Sequence, residues 1–256
     1  MTIISHRPSQ SPFKIAFHAV VLVLIVFFCL PIHAGPEKKS SNEIMPVLTE
    51  GMVTRIDREG KTVPVAPGDR FRPSGRVRTG MKARAALELS ASVHLRLDAL
   101  SEVRFDGMPE GDGPEGRLWI MVLNGEVWVN ASAVPEGFGG LNIRMPFASI
   151  RMNGGICRLT VFSDGSSRVK VYSGPVEILK PETGANPANA AGSAQGKGSW
   201  SHILNSMQQI HVRPDGTATN PFQLMKKVDE TPWVEWNRSM DERLGPNPKS
   251  KIINLK

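Results

Sequence analysis

The stretch from Gly75 to Phe105, GRVRTGMKARAALELSASVHLRLDALSEVRF, decides the fold class. From Ala85 to Leu97 every odd position is apolar: Ala85, Leu87, Leu89, Ala91, Val93, Leu95 and Leu97. The even positions Glu88, Ser90, Ser92, His94, Arg96 and Asp98 are polar, with Ala86 the exception. Successive side chains of a strand point to opposite faces, so a period of two predicts one buried face and one wet face. The run is longer than the usual strand of ~5–6 residues, and it therefore predicts a hairpin with its turn at Ser90-Ala91-Ser92. The wet face carries no arrangement that could do chemistry. This reads as a β-rich binding or regulatory module and not as an enzyme.

Outward from that stretch the pattern repeats. On its N-terminal side lie Gly51 to Ile56 and Thr62 to Val65, separated by a turn at Glu59-Gly60 and followed by the Pro67-Gly68-Asp69 turn. On its C-terminal side, GMPEGDGPEG (107–116) is a loop by composition. Arg117 to Asn130 reads as a strand pair around Asn124-Gly125, a strong short hairpin signal. After a loop at 133–140, strand-like pieces follow at Leu141–Met145, Ala148–Met152, Ile156–Phe162, Arg168–Tyr172 and Val176–Leu179. No helix is expected between residues 50 and 180. Many short strands spaced by Gly, Pro and Asp turns predict an all-β domain of antiparallel strands. A two-sheet sandwich, a rolled barrel and a short β-solenoid all satisfy the pattern.

The flanks differ in kind. Arg7 and Lys14 precede a nearly continuous apolar stretch, Ile15 to Leu30, and Ile32-His33-Ala34 before Gly35 offers a small residue at a cleavable bond. Residues 1–34 therefore read as a signal peptide, with retention as an N-terminal inner-membrane anchor as the alternative. Either reading exports the bulk of the chain, to the periplasm or the cell surface. Loss of 1–34 removes Arg7 and Lys14 and lowers the net charge from +7 to +5, which is moderately basic. It also removes Cys29, leaving Cys157 without an intramolecular disulfide partner, so stability must come from burial. Residues 35–49 read as a flexible leader, 50–180 as the β-domain, 181–199 as a disordered linker and 200–220 as a closing strand. Residues 221–256 read as a helix and basic tail. Thr231 is a helix N-cap and Pro232 a first helical residue, and Trp233, Trp236, Met240 and Leu244 recur at helical spacing as one apolar stripe.

The order of these pieces resembles the extracytoplasmic FecR domain over roughly residues 50–215. The pieces that carry the resemblance are Glu50-Gly51-Met52-Val53, Pro67-Gly68-Asp69, Arg76-Val77-Arg78-Thr79-Gly80, and Ala83 to Leu89. Asn124 to Val129, Val169 to Val176, and Met207-Gln208-Gln209 running into Asp215-Gly216-Thr217 complete it. The resemblance implies an all-β, non-enzymatic domain whose best-known relatives regulate extracytoplasmic-function sigma factors together with an outer-membrane receptor. Such regulators carry a cytoplasmic anti-sigma domain before their membrane span, where this sequence has Met1 to Lys14, so the resemblance implies a stand-alone, signal-bearing member. Some relatives cut themselves at a Gly-Thr bond by an N-to-O acyl shift. The corresponding bond here is Gly155-Ile156, and isoleucine has no hydroxyl, so self-cleavage is not expected. The hairpin turn, often Asp-Gly-Ser in the family, is Ser90-Ala91-Ser92.

Candidate sites are few. His94, His202 and His211 lie in separate segments without metal-ligand spacing, and they read as exposed strand or loop residues. Gly139-Gly140 and Gly154-Gly155 read as turns. Trp119, Trp128 and Cys157 read as core. No cofactor or metal is expected. The basic run is the strongest candidate: Arg70, Arg72, Arg76, Arg78, Lys82 and Arg84 fall within one short span. It reads as a solvated edge that discourages aggregation or as a patch for an envelope protein or anionic envelope polymer. Pro73 and Gly75 break any single strand through it. Nucleic acid is not an expected partner, because the chain is expected to be exported. A membrane is a partner only if the N-terminal segment is retained. Trp233 and Trp236 complete the partner-binding candidates, with docking back on the β-domain as the other reading. The expected function is a non-catalytic exported module that binds another envelope component. A membrane-anchored regulator and a glycan-binding module are the competing readings.

Overall fold

One long strand, β8 (Trp119–Ala131), organises the chain by belonging to two sheets at once. The computed structural model describes residues 43–90, 92–106, 119–131, 140–180 and 199–244. The expected signal peptide, the loop at 107–116, the linker up to residue 198 and the basic tail beyond Leu244 lie outside the described residues. Sheet I runs, in spatial order, β1 (Met45–Glu50), β5 (Arg84–Ser90), β6 (Val93–Leu97) and the C-terminal half of β8. It continues with β11 (Gly155–Val161), β12 (Ser167–Ser173), β15 (Gln208–Val212) and β16 (Phe222–Gln223). Sheet II runs β3 (Thr62–Pro64), β2 (Val53–Ile56), β4 (Ser74–Thr79), β7 (Glu102–Asp106) and the N-terminal half of β8. Its far half is β9 (Leu141–Arg144), β10 (Ser149–Met152), β13 (Val176–Leu179) and β14 (Ser201–Leu204). All neighbours are antiparallel except β8 and β9, which run parallel, so the sheet is mixed and not purely antiparallel. Its ends stay open: β1, β3, β14 and β16 each pair on one side. The described strands form one large, mixed and unclosed sheet whose two parts share the bent strand β8, which excludes a closed barrel.

The bend explains the largest misreading. Asn124-Gly125 was expected to reverse the chain, yet β8 passes straight through it. Gly125 does adopt the left-handed conformation of a turn residue, with φ of +89°, but it turns a corner between sheets instead of a hairpin. Ser101 holds that corner. Its hydroxyl donates to the Glu126 carbonyl at 3.1 Å and accepts from the Glu126 N–H at 2.9 Å. Asn124 Nδ2 donates to the Leu100 carbonyl at 3.0 Å. A Cβ on Gly125 would lie 2.5 Å from Ser101 Cα, so only glycine fits the crossing. A two-residue hairpin signal is local, and here tertiary pairing of both halves with other strands overrides it.

The inner faces meet in one core. Leu87, Leu95, Val127, Val129, Leu159 and Val169 come from sheet I, and Val77, Phe105, Ile120, Val122, Ile143 and Ile178 from sheet II. Cys157 lies within it, fully buried, and burial pushes its thiol up to about 12. The hairpin expected at Ser90-Ala91-Ser92 is present, since β5 and β6 pair antiparallel across it. Residues 45–49, expected to belong to a flexible leader, instead form β1 against β5, with Val47 and Leu48 buried.

The expected wet face of that hairpin is covered. Helices α1 (Lys226–Asp229) and α2 (Pro232–Leu244) lie against the outside of sheet I. Thr231 caps α2 as expected: its hydroxyl accepts from the Val234 N–H at 3.3 Å and its carbonyl from the Glu235 N–H at 3.0 Å. The apolar stripe docks back on the β-domain. Met240 packs with Val47, Leu48 and Ala86, and Trp233 and Val234 pack with Trp128. His94, read as an exposed strand residue, and Arg96 are therefore buried. A period-two strand has a second face that is polar by composition, and composition does not reveal what lies over it.

Candidate binding surfaces

Among the described residues no element covers the outside of sheet II over β4 and β7, and there the basic run is partly assembled. Arg76 and Arg78 alternate with the buried Val77, and Glu102 and Arg104 alternate with the buried Val103, so all four charged side chains share the outer face. Register places Arg76 directly opposite Arg104 and Arg78 opposite Glu102. Like charges opposite one another repel, and both arginines turn to carboxylates. Arg76 reaches Glu102 Oε1 at 3.2 Å, Arg78 grips Glu102 Oε2 through Nη2 at 2.7 Å and Nε at 3.0 Å, and Arg104 pairs with Asp106 at 2.7 Å. The same cross-strand row continues through Met121 and Arg144. Arg144 lies over the Trp119 ring at 4.9 Å, and burial lowers its pKa. Trp119, expected in the core, is only half-buried on this outer face, whereas Trp128 is buried.

The other members of the run go elsewhere. Arg70 pairs with Glu43 at 3.6 Å in the turn before β4. Arg72 also precedes β4, and Lys82 sits exposed on the turn into β5 with φ of +55°. Arg84 belongs to sheet I, where it pairs with Asp98 at 3.1 Å and lies 5.4 Å over both Trp233 and Trp236. Those tryptophans stack on each other at 5.1 Å. Trp233 is buried and Trp236 half-buried, so both face their own β-domain. Of the six basic residues, Arg76 and Arg78 share one strand face.

Sequence reasoning missed a second constellation, on the outside of sheet I beneath the helices. Arg96 on β6 has no exposed side-chain surface and pairs with Asp241 of α2 at 2.6 Å. Asp241 also accepts from Asn130 Nδ2 at 2.7 Å and from Trp128 Nε1 at 3.2 Å, both on β8. Arg96 further donates to the Asn237 carbonyl at 3.2 Å. Next to it, Asp229 of α1 accepts from Lys170 Nζ and the Tyr172 hydroxyl, each at 2.5 Å, and pairs with Arg158 at 3.3 Å. Arg158 pairs also with Glu126 at 3.2 Å. Burial, then the Arg96 charge, hold His94 below the usual imidazole range, and burial raises Glu126 and Tyr172. The legible signal was the pairing of Arg96, mid-strand in a fold-defining hairpin, with a capped helix carrying Asp241 eight residues after Trp233. Among the described residues no cluster of three or more His, Cys, Asp or Glu side chains could hold a metal.

A third feature is a cavity of about 720 Å³ at the β10–β11 and β12–β13 turns, lined by Arg151, Gly155, Ile156, Pro175, Glu177 and Ile203. Arg151 and Glu177 pair across its rim at 3.1 Å. Its glycines answer to packing: a Cβ on Gly155 would lie 2.2 Å from the Ser173 carbonyl oxygen, and one on Gly174 2.9 Å from Gly155 Cα.

A family model described as FecR protein matches residues 75–177, from β4 to β13. This chain carries a FecR domain. The Arg-Thr-Gly piece of that domain has a structural task here. Thr79 is buried, its hydroxyl donates to the Asp98 carbonyl at 2.5 Å and accepts from the Ser101 N–H at 2.9 Å, and the Gly80 N–H donates to the Met52 carbonyl at 2.8 Å. Strands β1 to β3 and β14 to β16 lie outside the matched FecR residues yet complete the same sheets. Two crystal structures of a protein described as an anti-sigma factor from Parabacteroides distasonis, at 2.50 and 1.65 Å resolution, are similar to this chain at 17% identity. They have TM-scores of 0.45 and 0.44, over 65% of this chain and 72% and 73% of theirs. No curated protein matches the chain.

Proposed function

We propose that this protein is a non-catalytic FecR-domain module that recognises an anionic component of the cell envelope, through the outer face of sheet II, in the regulation of envelope signalling. The observation that carries the reading is the arginine surplus on that face. Arg76, Arg78, Arg104, Arg144 and Arg151 stand against Glu102, Asp106 and Glu177. Arg76 and Arg78 divide the charge of one carboxylate, and their side chains stay 48% and 52% exposed. A guanidinium keeps several donors in a rigid fork, so both retain donors toward solvent for a carboxylate or phosphate. Membership of the FecR domain family supports the regulatory setting. The apolar stretch Ile15–Leu30 supports export, with the module either released or held at the membrane.

The test is co-sedimentation of the native protein with purified peptidoglycan and with lipopolysaccharide across a salt series, beside Arg76→Glu/Arg78→Glu. Exposed charge contacts weaken as the screening length shortens from ~10 Å at 0.1 M to ~3 Å at 1 M salt. Binding released by salt and lost in the reversed variant supports the reading. Binding that is indifferent to salt and to both substitutions, or absent for every anionic envelope component tried, refutes it.

A further inference from the structure

The C-terminal segment is joined to the β-domain in a way that separates it from the core. The inter-sheet core is one continuous cluster that contains no residue of α1 or α2. The segment's apolar contacts form two small clusters on the far side of sheet I, one around Met240 and one around Trp233 and Val234. Trp236 packs against both, and beside these apolar contacts lie buried charges. Asp241 sits among Arg96, Trp128 and Asn130, and Asp229 among Lys170, Tyr172 and Arg158. Buried ion pairs hold two surfaces in one register, yet they stabilise no more than apolar contacts of the same volume, because both charges lose water. Such a joint is specific without being strong. On the sheet side it presents four cations, Arg84, Arg96, Arg158 and Lys170, and two stacked rings, Trp128 and Tyr172 at 4.6 Å. Glu88, Asp98, Glu126 and His94 are further titratable groups on that face.

We infer that residues 226–244 are a strap that opens separately from the β-domain, and that the face beneath it is a receptor for a two-helix segment presenting carboxylates beside tryptophan. The strap is the occupant in the closed state, and a partner segment must match the positions of its two aspartates, one on each helix. Because the strap is tethered, it competes at the high effective concentration of an intramolecular ligand, of millimolar order for short flexible links. A free segment therefore binds only when the strap is weakened. The inference goes beyond the reading of the sheet II face and does not rest on it, since the strap lies against the outer face of sheet I.

The experiment is hydrogen exchange by mass spectrometry on the full chain, wild type and Asp229→Asn/Asp241→Asn. It is followed by titration with a fluorescein-labelled peptide of residues 226–244. Sub-global opening predicts amides of 226–244 exchanging at least about tenfold faster than those of β8 and β11 in the wild type, with a further increase in the variant and none in the strands. The variant then binds the peptide, less tightly at high salt, while the wild type does not. Exchange of strap and strands at one common rate overturns the inference, and this needs no variant. So does a variant whose strap is exposed but which binds no peptide. Should the double variant fail to fold, Asp241→Asn alone serves in its place.

Discussion

Replacing Asp241 by alanine isolates the buried charge at the centre of the strap joint. In the wild type Arg96 has no exposed side-chain surface, and Asp241 lies 2.6 Å from it. Alanine leaves the guanidinium dry and without its carboxylate, and it also removes the acceptor for Asn130 Nδ2 and Trp128 Nε1. Breaking a buried pair on one side costs about 3–5 kcal/mol, because the remaining charge keeps its desolvation penalty. For a domain of this size each kcal/mol shifts Tm by ~2–4 °C, so the expected loss is roughly 6–20 °C. The Asp241 side chain is 16% exposed, so some water reaches the site and places the value toward the lower end. Opening of the strap sets a ceiling. Once it detaches, Arg96 is hydrated and no further cost accrues.

Urea unfolding followed by tryptophan fluorescence separates these contributions. With the strap closed, the midpoint falls and the slope m stays constant. With the strap open, m falls as well, because the native state has already exposed that surface. The double variant Arg96→Met/Asp241→Leu removes both charges together and is expected to recover most of the loss, since an apolar pair of similar volume replaces a desolvated ion pair at little net cost. An Asp241→Ala loss below ~1 kcal/mol, the range of an exposed pair, would show that Arg96 is not confined as described. A double variant as unstable as the single one would show that packing of α2, and not charge, holds the joint.

Three further outcomes follow from the same geometry. His94 is held below its ordinary range by burial and by Arg96, so the unfolded chain binds its proton first. Stability is complete above pH ~6.5 and declines as pH falls from there toward the depressed folded value, and His94→Gln is expected to flatten that part of a Tm-against-pH curve. Gly125→Ala places a methyl 2.5 Å from Ser101 Cα at φ of +89°. Left-handed strain and overpacking each cost about 1–3 kcal/mol, and a midpoint unchanged in urea would refute the corner. Cys157 is fully buried with its thiol pushed up to about 12, so iodoacetamide labelling of the native chain at pH 8 is expected to proceed only at the rate of unfolding. Rapid stoichiometric labelling would place that side chain elsewhere.

What the sequence disclosed and what it concealed divide along the range of the interaction. The strands at 141–145, 148–152, 156–162 and 168–172, the β5–β6 hairpin and the Thr231 cap each rest on neighbours in sequence, and each is present. The Asn124-Gly125 corner was misread because the groups that hold it, the Ser101 hydroxyl and the Leu100 carbonyl, lie more than twenty residues away. The basic run was legible as composition, but its division was not. Whether Arg84 shares a face with Arg78 depends on the β4–β5 turn sending one strand to sheet II and the next to sheet I.

The polar face of the hairpin makes the same point with a functional consequence. His94 and Arg96 alternate with leucines and valine, and by periodicity alone they belong to solvent. They became interior only because α2, about 140 residues later, lies over them, and Asn237 and Asp241 meet the arginine. A solvent-facing arginine needs no partner, whereas one with no exposed surface requires a carboxylate at a particular place. The strap must therefore arrive in register. The two aspartates define that register: Asp229 fixes the segment over β11 and β12, and Asp241 fixes it over β6 and β8. An apolar strap could slide by a helical turn at modest cost, but this one cannot without leaving Arg96 and Lys170 unpaired. That confinement is why polar residues stand on a covered face. It also makes the face selective for whatever replaces the strap, since a substitute segment must carry carboxylates at both positions.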